Sequence, residues 1–182
     1  MNIFLVRHGE AAASWGEDPD PGLSELGRQE AEAAATQLNM QLGDDTLILS
    51  SPLQRAIETA EPLARSLQQT VLQDKAFSEV PAPVPLPQRQ NWLRQFMQQQ
   101  WSEQEDELIA WRTAALQKLL LQTRPTVVFT HFLVINAVVG QVLERPETLC
   151  FWPGNGSITH FRHTGSSLEL VALGEEMETI VN

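Results

Sequence analysis

Three short, mostly apolar runs stand out along the chain, at residues 3–6, 46–49 and 126–129. Uninterrupted runs of this length are typical of strands that are buried on both faces of a parallel sheet. Weaker strand patterns follow at 71–72, 157–162 and 168–173, the last two joined by a turn at Gly165. These patterns predict a sheet with three central strands and three shorter or peripheral ones.

Segments of helical character separate the predicted strands. Residues 25–42 are rich in Ala, Gln and Glu and follow Ser24, a good N-cap residue. Further helices are predicted at 88–100 and at 133–143. The alternation of strand and helix predicts a single three-layer α/β/α domain over residues 1–182, in which helices cover both faces of a mostly parallel central sheet.

Two helix starts carry the sequence pattern of a capping box. Ser51 with Gln54 predicts a helix that begins at Pro52 and runs to residue 67. Ser102 with Glu105 predicts a long helix that ends near residue 122.

The segment of about residues 80–102 is predicted to form a cap-like insertion that decides substrate choice. Four prolines between residues 81 and 87 exclude regular helix at its start. Further along, four large apolar residues share one helical face, namely Trp92, Phe96, Met97 and Trp101. This face either packs against the body of the domain or forms an apolar lip that selects a group of the substrate.

The overall charge narrows the function classes. The chain has 23 Asp and Glu against 12 Lys and Arg, a formal net charge of −11. This charge argues against a nucleic-acid or anionic-membrane partner, but a local cationic pocket for a small anion remains possible. The single cysteine, Cys150, excludes an intramolecular disulfide and a cysteine-based zinc cluster. No signal-peptide pattern or membrane-spanning apolar run is present, so we expect a cytoplasmic protein.

Cationic side chains follow each of the three strong strands. Arg7 and His8 come directly after the first, Arg55 lies in the helix start after the second, and His131 follows the third. In open α/β sheets, ligands bind beyond the carboxyl ends of the strands. Two His and two Arg at this edge would form a cationic pocket, and the planar fork of Arg suits a phosphate group.

The motifs that contain these residues resemble those of the histidine phosphatase superfamily, also called the phosphoglycerate mutase-like family. They occur in the same order and spacing along nearly the whole chain. The matching segments are Arg7-His8-Gly9-Glu10, Leu23-Ser24-Glu25-Leu26-Gly27-Arg28-Gln29-Glu30-Ala31, Ser50-Ser51-Pro52-Leu53-Gln54-Arg55-Ala56-Ile57-Glu58-Thr59-Ala60, Thr130-His131 and Asn155-Gly156-Ser157-Ile158.

The resemblance implies a mechanism on His8. This residue would be the nucleophile and would form a phosphohistidine intermediate that water then hydrolyses. Arg7, Arg55 and His131 would hold the phosphoryl oxygens, and Gly9 would let the chain pass close to the phosphate. The arginine charges would keep His8 neutral, and a backbone carbonyl would fix its tautomer. Neither a metal nor a cofactor is expected, since cationic side chains supply the charge.

The resemblance also assigns roles to two carboxylates and a serine. Glu79 lies where the family places the general acid that protonates the leaving oxygen. Glu10 belongs to the signature and is interpreted as a positioning residue. After Glu10 the chain departs from the family pattern, in which Thr and then Asn follow. Three alanines and Ser14 stand there instead, and Ser14 could replace one of the missing phosphate contacts.

Three functions remain open on this evidence. The favoured one is a metal-independent phosphatase that acts on a small phosphorylated metabolite. Mutase action is less expected, because the chain is shorter than the mutases that it resembles. The second is a protein phosphohistidine phosphatase of a phosphorelay, although that group typically lacks the Glu acid. The third is a non-catalytic phospho-ligand-binding protein. The oligomeric state is left open.

Overall fold

One mixed sheet organises the computed structural model, which describes residues 1–13 and 18–178. Its strands run in the order β3-β2-β4-β1-β5-β6. Strands β3, β2, β4 and β1 are parallel to one another. Strand β5 pairs antiparallel with β1, and β6 pairs antiparallel with β5. The strand bounds are Asn2–Arg7 (β1), Leu47–Ser50 (β2), Val71–Gln73 (β3), Thr126–Thr130 (β4), Ile158–His163 (β5) and Leu168–Ala172 (β6). The predicted, mostly parallel sheet is confirmed.

Helices cover both faces of this sheet, as predicted. Helices α1 and α2 pack on one face, and α4 and α5 pack on the other. The helix bounds are Glu25–Asn39 (α1), Gln54–Leu67 (α2), Arg89–Phe96 (α3), Asp106–Leu120 (α4) and Phe132–Val142 (α5). In the part of the chain that the structure describes, no helix combines the length and the apolar character needed to cross a membrane.

Alternating side chains of the central strands fill the two cores. In β1, Ile3 and Leu5 point to α4 and α5, while Phe4 and Val6 point to α1 and α2. All four are at most 1% exposed. Burial of such a side chain stabilises the fold by roughly 1.5–3 kcal/mol, which explains why these strands are apolar at every position.

The start of α2 differs from the prediction. The helix begins at Gln54 and Leu53 is its N-cap, with no side-chain cap bond. The Gln54 N–H, at the start of the helix, donates instead to Asp20 Oδ1 at 2.8 Å, an acceptor 34 residues earlier in the chain. The predicted Ser51 cap and its capping box are therefore wrong, because a distant loop supplies the acceptor.

The start of α4 also differs. The helix begins at Asp106, and a separate 3₁₀ turn covers Trp101–Glu103. Glu103 Oε2 accepts from the Gln100 N–H at 2.6 Å, so the capping carboxylate belongs to this turn. The predicted pairing of Ser102 with Glu105 is wrong.

The segment 80–102 packs on the N-terminal half of α5. Leu93, Phe96 and Trp101 are buried in one cluster with Phe132 and Leu133. Of the apolar face identified in the sequence, Phe96 and Trp101 are thus part of a core. Trp92 and Met97 are partly buried against it. The control of substrate choice by this segment stays a prediction.

Candidate active site

The structure brings four of the predicted residues together at the carboxyl edge of the sheet. Arg7 ends β1 and His8 follows it, Arg55 lies in the first turn of α2, and His131 is the N-cap of α5. Arg55 Nε lies 3.2 Å from His8 Nε2, and the two imidazole rings are 5.2 Å apart between centroids. Three neighbouring parallel strands, β2, β4 and β1, deliver these side chains to one point.

The hydrogen bonds of His8 fix its tautomer. Its Nδ1 lies 2.7 Å from the carbonyl oxygen of Gly9. A carbonyl only accepts, so Nδ1 carries the hydrogen and Nε2 keeps its lone pair. Arg55 Nε–H then donates to that lone pair. The expected backbone acceptor is present, and Nε2 is the unprotonated nitrogen of the ring.

The surroundings of His8 keep the ring neutral. Burial, followed by the charges of Arg55 and Arg7, lowers the pKa of His8 from 6.5 to about 3, against the opposing bond to Gly9. The ring is only 6% exposed, so water screens these charges little. An imidazole in this position is therefore a free base at neutral pH.

His131 is also neutral, and its ring contacts Ser51. Its Nε2 lies 2.8 Å from Ser51 Oγ, which itself accepts from the Leu53 N–H at 3.2 Å. The Ser51 oxygen has one hydrogen and two lone pairs, so it can donate to Nε2 or accept from it as well as accepting from Leu53. Nδ1 is buried with no hydrogen-bond partner among the described residues. Burial and then the neighbouring His8 hold the pKa of His131 well below 6.5.

Arg7 is held in place by backbone and apolar contacts. Its Nη1 donates to the Pro153 carbonyl at 2.8 Å and lies 3.3 Å from Met177 Sδ. Its Cζ lies 5.1 Å from the centre of the Phe132 ring, a cation–π distance. Burial lowers its pKa from 12.5 to about 10, so the guanidinium stays charged at neutral pH.

A threonine connects the His8 loop to α2. Thr59 Oγ1 accepts from the Gly9 N–H at 3.0 Å and donates to the Arg55 carbonyl at 2.6 Å. This chain of bonds fixes the loop after β1 relative to the helix that carries Arg55. Burial lowers the pKa of Arg55, yet its guanidinium remains the positive group nearest to His8.

The need for glycine at position 9 has a different origin from the expected one. A Cβ at Gly9 would overlap the Gly27 backbone of α1, and a Cβ at Gly27 would overlap the Glu10 carbonyl. The Gly9 N–H is already bonded to Thr59. Contact between the two glycines therefore accounts for the residue type, and an approach of Gly9 to phosphate stays a prediction.

Glu79 is a buried carboxyl beside the cations. It is 7% exposed; its Oε1 accepts from the Val80 N–H at 2.9 Å, and its Oε2 lies 3.5 Å from the Leu133 nitrogen. Burial raises the pKa of Glu79, against these N–H groups and the charge of Arg55. The protonated form that a general acid requires is thereby favoured.

Two side chains that the sequence analysis missed position the turn before Glu79. Thr130 Oγ1 donates to the Phe77 carbonyl at 2.7 Å, and Trp111 Nε1 donates to the Ser78 carbonyl at 3.0 Å. Ser51 and Thr59 were missed in the same way. Both lie inside the motif around Arg55, and their place in that motif was the sequence feature that could have identified them.

A third arginine near the site also escaped the sequence analysis. Arg89 is the first residue of α3, and its Nη2 lies 3.4 Å from the Val80 carbonyl. Its charge contributes to the lowered pKa of Arg55 and of His131. No motif contains Arg89, so only the packing of segment 80–102 reveals its place.

The hydrogen bonds of Glu10 connect it to α1 and to the residue that caps this helix. Glu10 Oε1 accepts from Ser24 Oγ at 2.7 Å, and its N–H donates to Glu30 Oε2 at 2.7 Å, contacts that suit a positioning residue. Ser14 lies in segment 14–17, outside the described residues. Within the described ranges, no group of three or more His, Cys, Asp or Glu is arranged to hold a metal ion.

Comparison with known proteins decides the family. A sequence model of the histidine phosphatase superfamily (branch 1) matches residues 3–176. The chain belongs to the histidine phosphatase superfamily. A curated relative, the bifunctional protein Rv2228c of Mycobacterium tuberculosis, is 38% identical over 81 residues, which are 42% of this chain and 22% of that protein. The matched region is thus about a fifth of the length of that relative.

Solved structures of low sequence identity share the fold of this chain. Bacillus stearothermophilus YhfR superimposes with a TM-score of 0.80 at 20% identity, covering 97% of this chain and 98% of that one. Phosphoserine phosphatase of Entamoeba histolytica, in complex with 3-phosphoglyceric acid, gives 0.73 at 23% identity and covers 97% and 98%. Mycobacterial glucosyl-3-phosphoglycerate phosphatase Rv2419c gives 0.72 at 24% identity and covers 96% and 99%.

Proposed function

We propose that this protein is a metal-independent phosphatase that hydrolyses small phosphate monoesters through a phosphohistidine on His8. The observation that carries the proposal is the state of His8. The ring is neutral, its tautomer is fixed by Gly9, and its unprotonated Nε2 accepts from Arg55 Nε at 3.2 Å. The family membership supports a phosphatase, and the geometry supports this particular mechanism.

The first step transfers the phosphoryl group to His8. Nε2 attacks phosphorus, the bond between phosphorus and the leaving oxygen breaks, and that oxygen takes the proton of Glu79. Arg7, Arg55 and the Nδ1–H of His131 bind the phosphoryl oxygens and stabilise the charge of the transition state. Pre-positioned donors in a buried site act more strongly than the same groups in water.

The second step returns the site to its starting state. Glu79, now a carboxylate, takes a proton from water as that water attacks the phosphohistidine. The bond between Nε2 and phosphorus breaks, inorganic phosphate leaves, and His8 is again the neutral base. One carboxyl group thus serves as acid and then as base.

The substrate class follows from Glu79 and from the fold neighbours. An alkoxide is a poor leaving group and needs a proton, whereas phosphohistidine has a good leaving group. A buried Glu79 with a raised pKa therefore favours esters over the phosphohistidine of a phosphorelay protein. Two fold neighbours are a phosphoserine phosphatase and a glucosyl-3-phosphoglycerate phosphatase, which agrees with a small phosphorylated metabolite as the substrate.

The test is phosphate release from a panel of substrates in the presence of EDTA. The panel contains an aryl phosphate, sugar phosphates, phosphoglycerates, nucleotides and a phosphohistidine peptide. The native chain, His8→Ala and Glu79→Gln are compared. We expect esters to be hydrolysed with EDTA present, hydrolysis to be lost in His8→Ala, and ester turnover to fall by about 10²–10⁴-fold in Glu79→Gln.

Other outcomes would separate the alternatives. Release confined to the phosphohistidine peptide, and indifferent to Glu79→Gln, would assign the protein to a phosphorelay. Phosphate binding without any release would assign it to the non-catalytic phospho-ligand binders. Loss of ester hydrolysis on addition of EDTA would disprove metal independence.

A further inference from the structure

Two large apolar side chains remain at the surface beside Arg7. Trp152 is 48% exposed and Met177 is 44% exposed. Large apolar side chains that cluster at a protein surface commonly mark a place of contact with a ligand or partner. The buried ring of Phe132, 8% exposed, lies between Trp152 and Arg7. We call these three side chains the apolar rim.

Contacts connect the apolar rim directly to the phosphate-binding cation. The Phe132 ring lies 5.1 Å from Arg7 Cζ and 5.4 Å from the Trp152 ring, which it meets edge to face. Met177 Sδ lies 3.3 Å from Arg7 Nη1. A group attached to a phosphate on Arg7 is therefore within reach of these side chains.

Backbone hydrogen bonds hold the rim in place. The Met177 N–H donates to the Trp152 carbonyl at 2.8 Å, and the Trp152 N–H donates to Glu176 Oε1 at 3.0 Å. The neighbouring Pro153 carbonyl accepts from Arg7 at 2.8 Å. The rim is thus formed before a ligand arrives, which lowers the entropy cost of binding.

Glu79 and the rim both adjoin the start of α5. Glu79 Oε2 lies 3.5 Å from the nitrogen of Leu133, the residue that follows Phe132 at the start of that helix. In the proposed mechanism Glu79 protonates the leaving oxygen. A leaving-group site at the rim therefore requires the rest of the ester to extend from Glu79 along this helix end to the rim.

We propose that the apolar rim is a subsite for the leaving group and that it selects phosphate esters with an aryl or similarly flat apolar group. This inference rests on the proposed phosphatase function. Trp152 supplies an open indole face and edge, and Met177 supplies a polarisable thioether that adapts to an aromatic ring. A glycerol or sugar group would leave these surfaces uncovered.

Steady-state kinetics on two esters tests the subsite. 1-Naphthyl phosphate and glycerol 3-phosphate are compared as substrates of the full chain, Trp152→Ala, Trp152→Phe and Met177→Ala. The ratio of kcat/KM for the naphthyl ester to that for the glycerol ester should fall about five- to tenfold in Trp152→Ala, mainly through KM. Trp152→Phe should retain most of the ratio, and Met177→Ala should lower it less.

Met40→Ala is the control, because Met40 is 78% exposed at the end of α1. It should leave the ratio unchanged. An equal loss for both esters in Trp152→Ala and in Met177→Ala would overturn the subsite while leaving the phosphatase intact. Should the native chain release no phosphate, the proposed function fails, and equilibrium binding of the two esters to the same variants decides the subsite alone.

Discussion

The chemistry of this site depends on the protonation states of individual residues. His8 and His131 lie beside three arginines, and burial together with this positive charge holds both imidazoles neutral. Each neutral ring has one N–H and one lone pair, and its partner decides which nitrogen carries which. The Gly9 carbonyl places the His8 hydrogen on Nδ1 and the lone pair on Nε2, where Arg55 donates to it. The proposed mechanism uses this lone pair of His8 and an N–H of His131, so two rings of the same charge would serve opposite purposes.

The raised pKa of Glu79 predicts how activity depends on pH. The acid must be protonated, so kcat for an alkyl phosphate should fall as pH rises through the pKa of Glu79, which lies above its ordinary 4.5. His8 needs no deprotonation above about pH 3, so no matching acid limb should appear near pH 6. The pH–rate profiles of the native chain and of Glu79→Gln test this dependence of kcat on pH. An unchanged alkaline limb in Glu79→Gln would assign the acid to another group.

Ser51 should matter through His131. The variant Ser51→Ala removes the hydroxyl that bonds to His131 Nε2 and orients the ring, a bond of about 1 kcal/mol, so kcat should fall about fivefold. Ser50→Ala is the matched control. Ser50 is equally buried, but its Oγ donates only to the Ser51 carbonyl, at 2.8 Å. A similar loss of kcat in both variants would contradict the role of Ser51 as a positioning residue.

At the level of elements, α1 is positioned by a backbone contact with the His8 loop. Gly27 and Gly9 meet without side chains, and Ser24 Oγ, which caps α1 at the Gly27 N–H, also donates to Glu10. The motif around Gly27 therefore fixes the geometry of the loop that follows His8.

The contact predicts a large stability difference between two glycine substitutions. Helix propensity favours Ala over Gly by about 1 kcal/mol, yet a Cβ at Gly27 overlaps Glu10 backbone. Gly27→Ala should therefore lower the free energy of unfolding by about 1–3 kcal/mol. Gly43→Ala is the control, since its nearest atom would lie 3.5 Å away. Urea denaturation measures the free energy of unfolding of both variants. Equal values would show that the loop around Glu10 moves aside without a cost in stability.

The sequence predicted those elements whose signal is local. The apolar runs of β1, β2 and β4 were recognisable because both faces of each strand are buried. Helix starts were less predictable, since the α2 N-terminus is satisfied by Asp20 from a distant loop. In the site, motifs revealed His8, Arg7, Arg55, His131 and Glu79. Thr130, Trp111 and Arg89 act through tertiary contacts between segments far apart in sequence, which no local pattern encodes.

At the level of the whole molecule, an acidic chain concentrates positive charge at one edge. The net charge is −11, yet Arg7, Arg55 and Arg89 all act on the His8 pocket. The fold holds the three arginines close together despite the repulsion between their charges, and it places two neutral histidines beside them. Stability therefore depends on pH through the buried rings.

The buried histidines predict acid sensitivity. The pKa of His8 is lower in the folded chain than in the unfolded chain, so between about pH 6.5 and 3 only the unfolded chain takes up that proton. As the pH is lowered through this window, the free energy of unfolding should thus decrease by up to about 1.4 kcal/mol per pH unit for one such group. His8→Asn should have a correspondingly smaller slope between pH 6 and 5 in urea titrations. Identical slopes would mean that His8 is not held neutral.

The most direct test of the central claim is to trap the phosphoryl group on His8. The native chain is mixed with a ³²P-labelled ester, quenched within milliseconds in alkali, and digested for mapping. The account predicts an acid-labile, alkali-stable label on the peptide that contains His8, and no label in His8→Ala. Steady hydrolysis with no labelled histidine, retained in His8→Ala, would contradict nucleophilic catalysis by this residue.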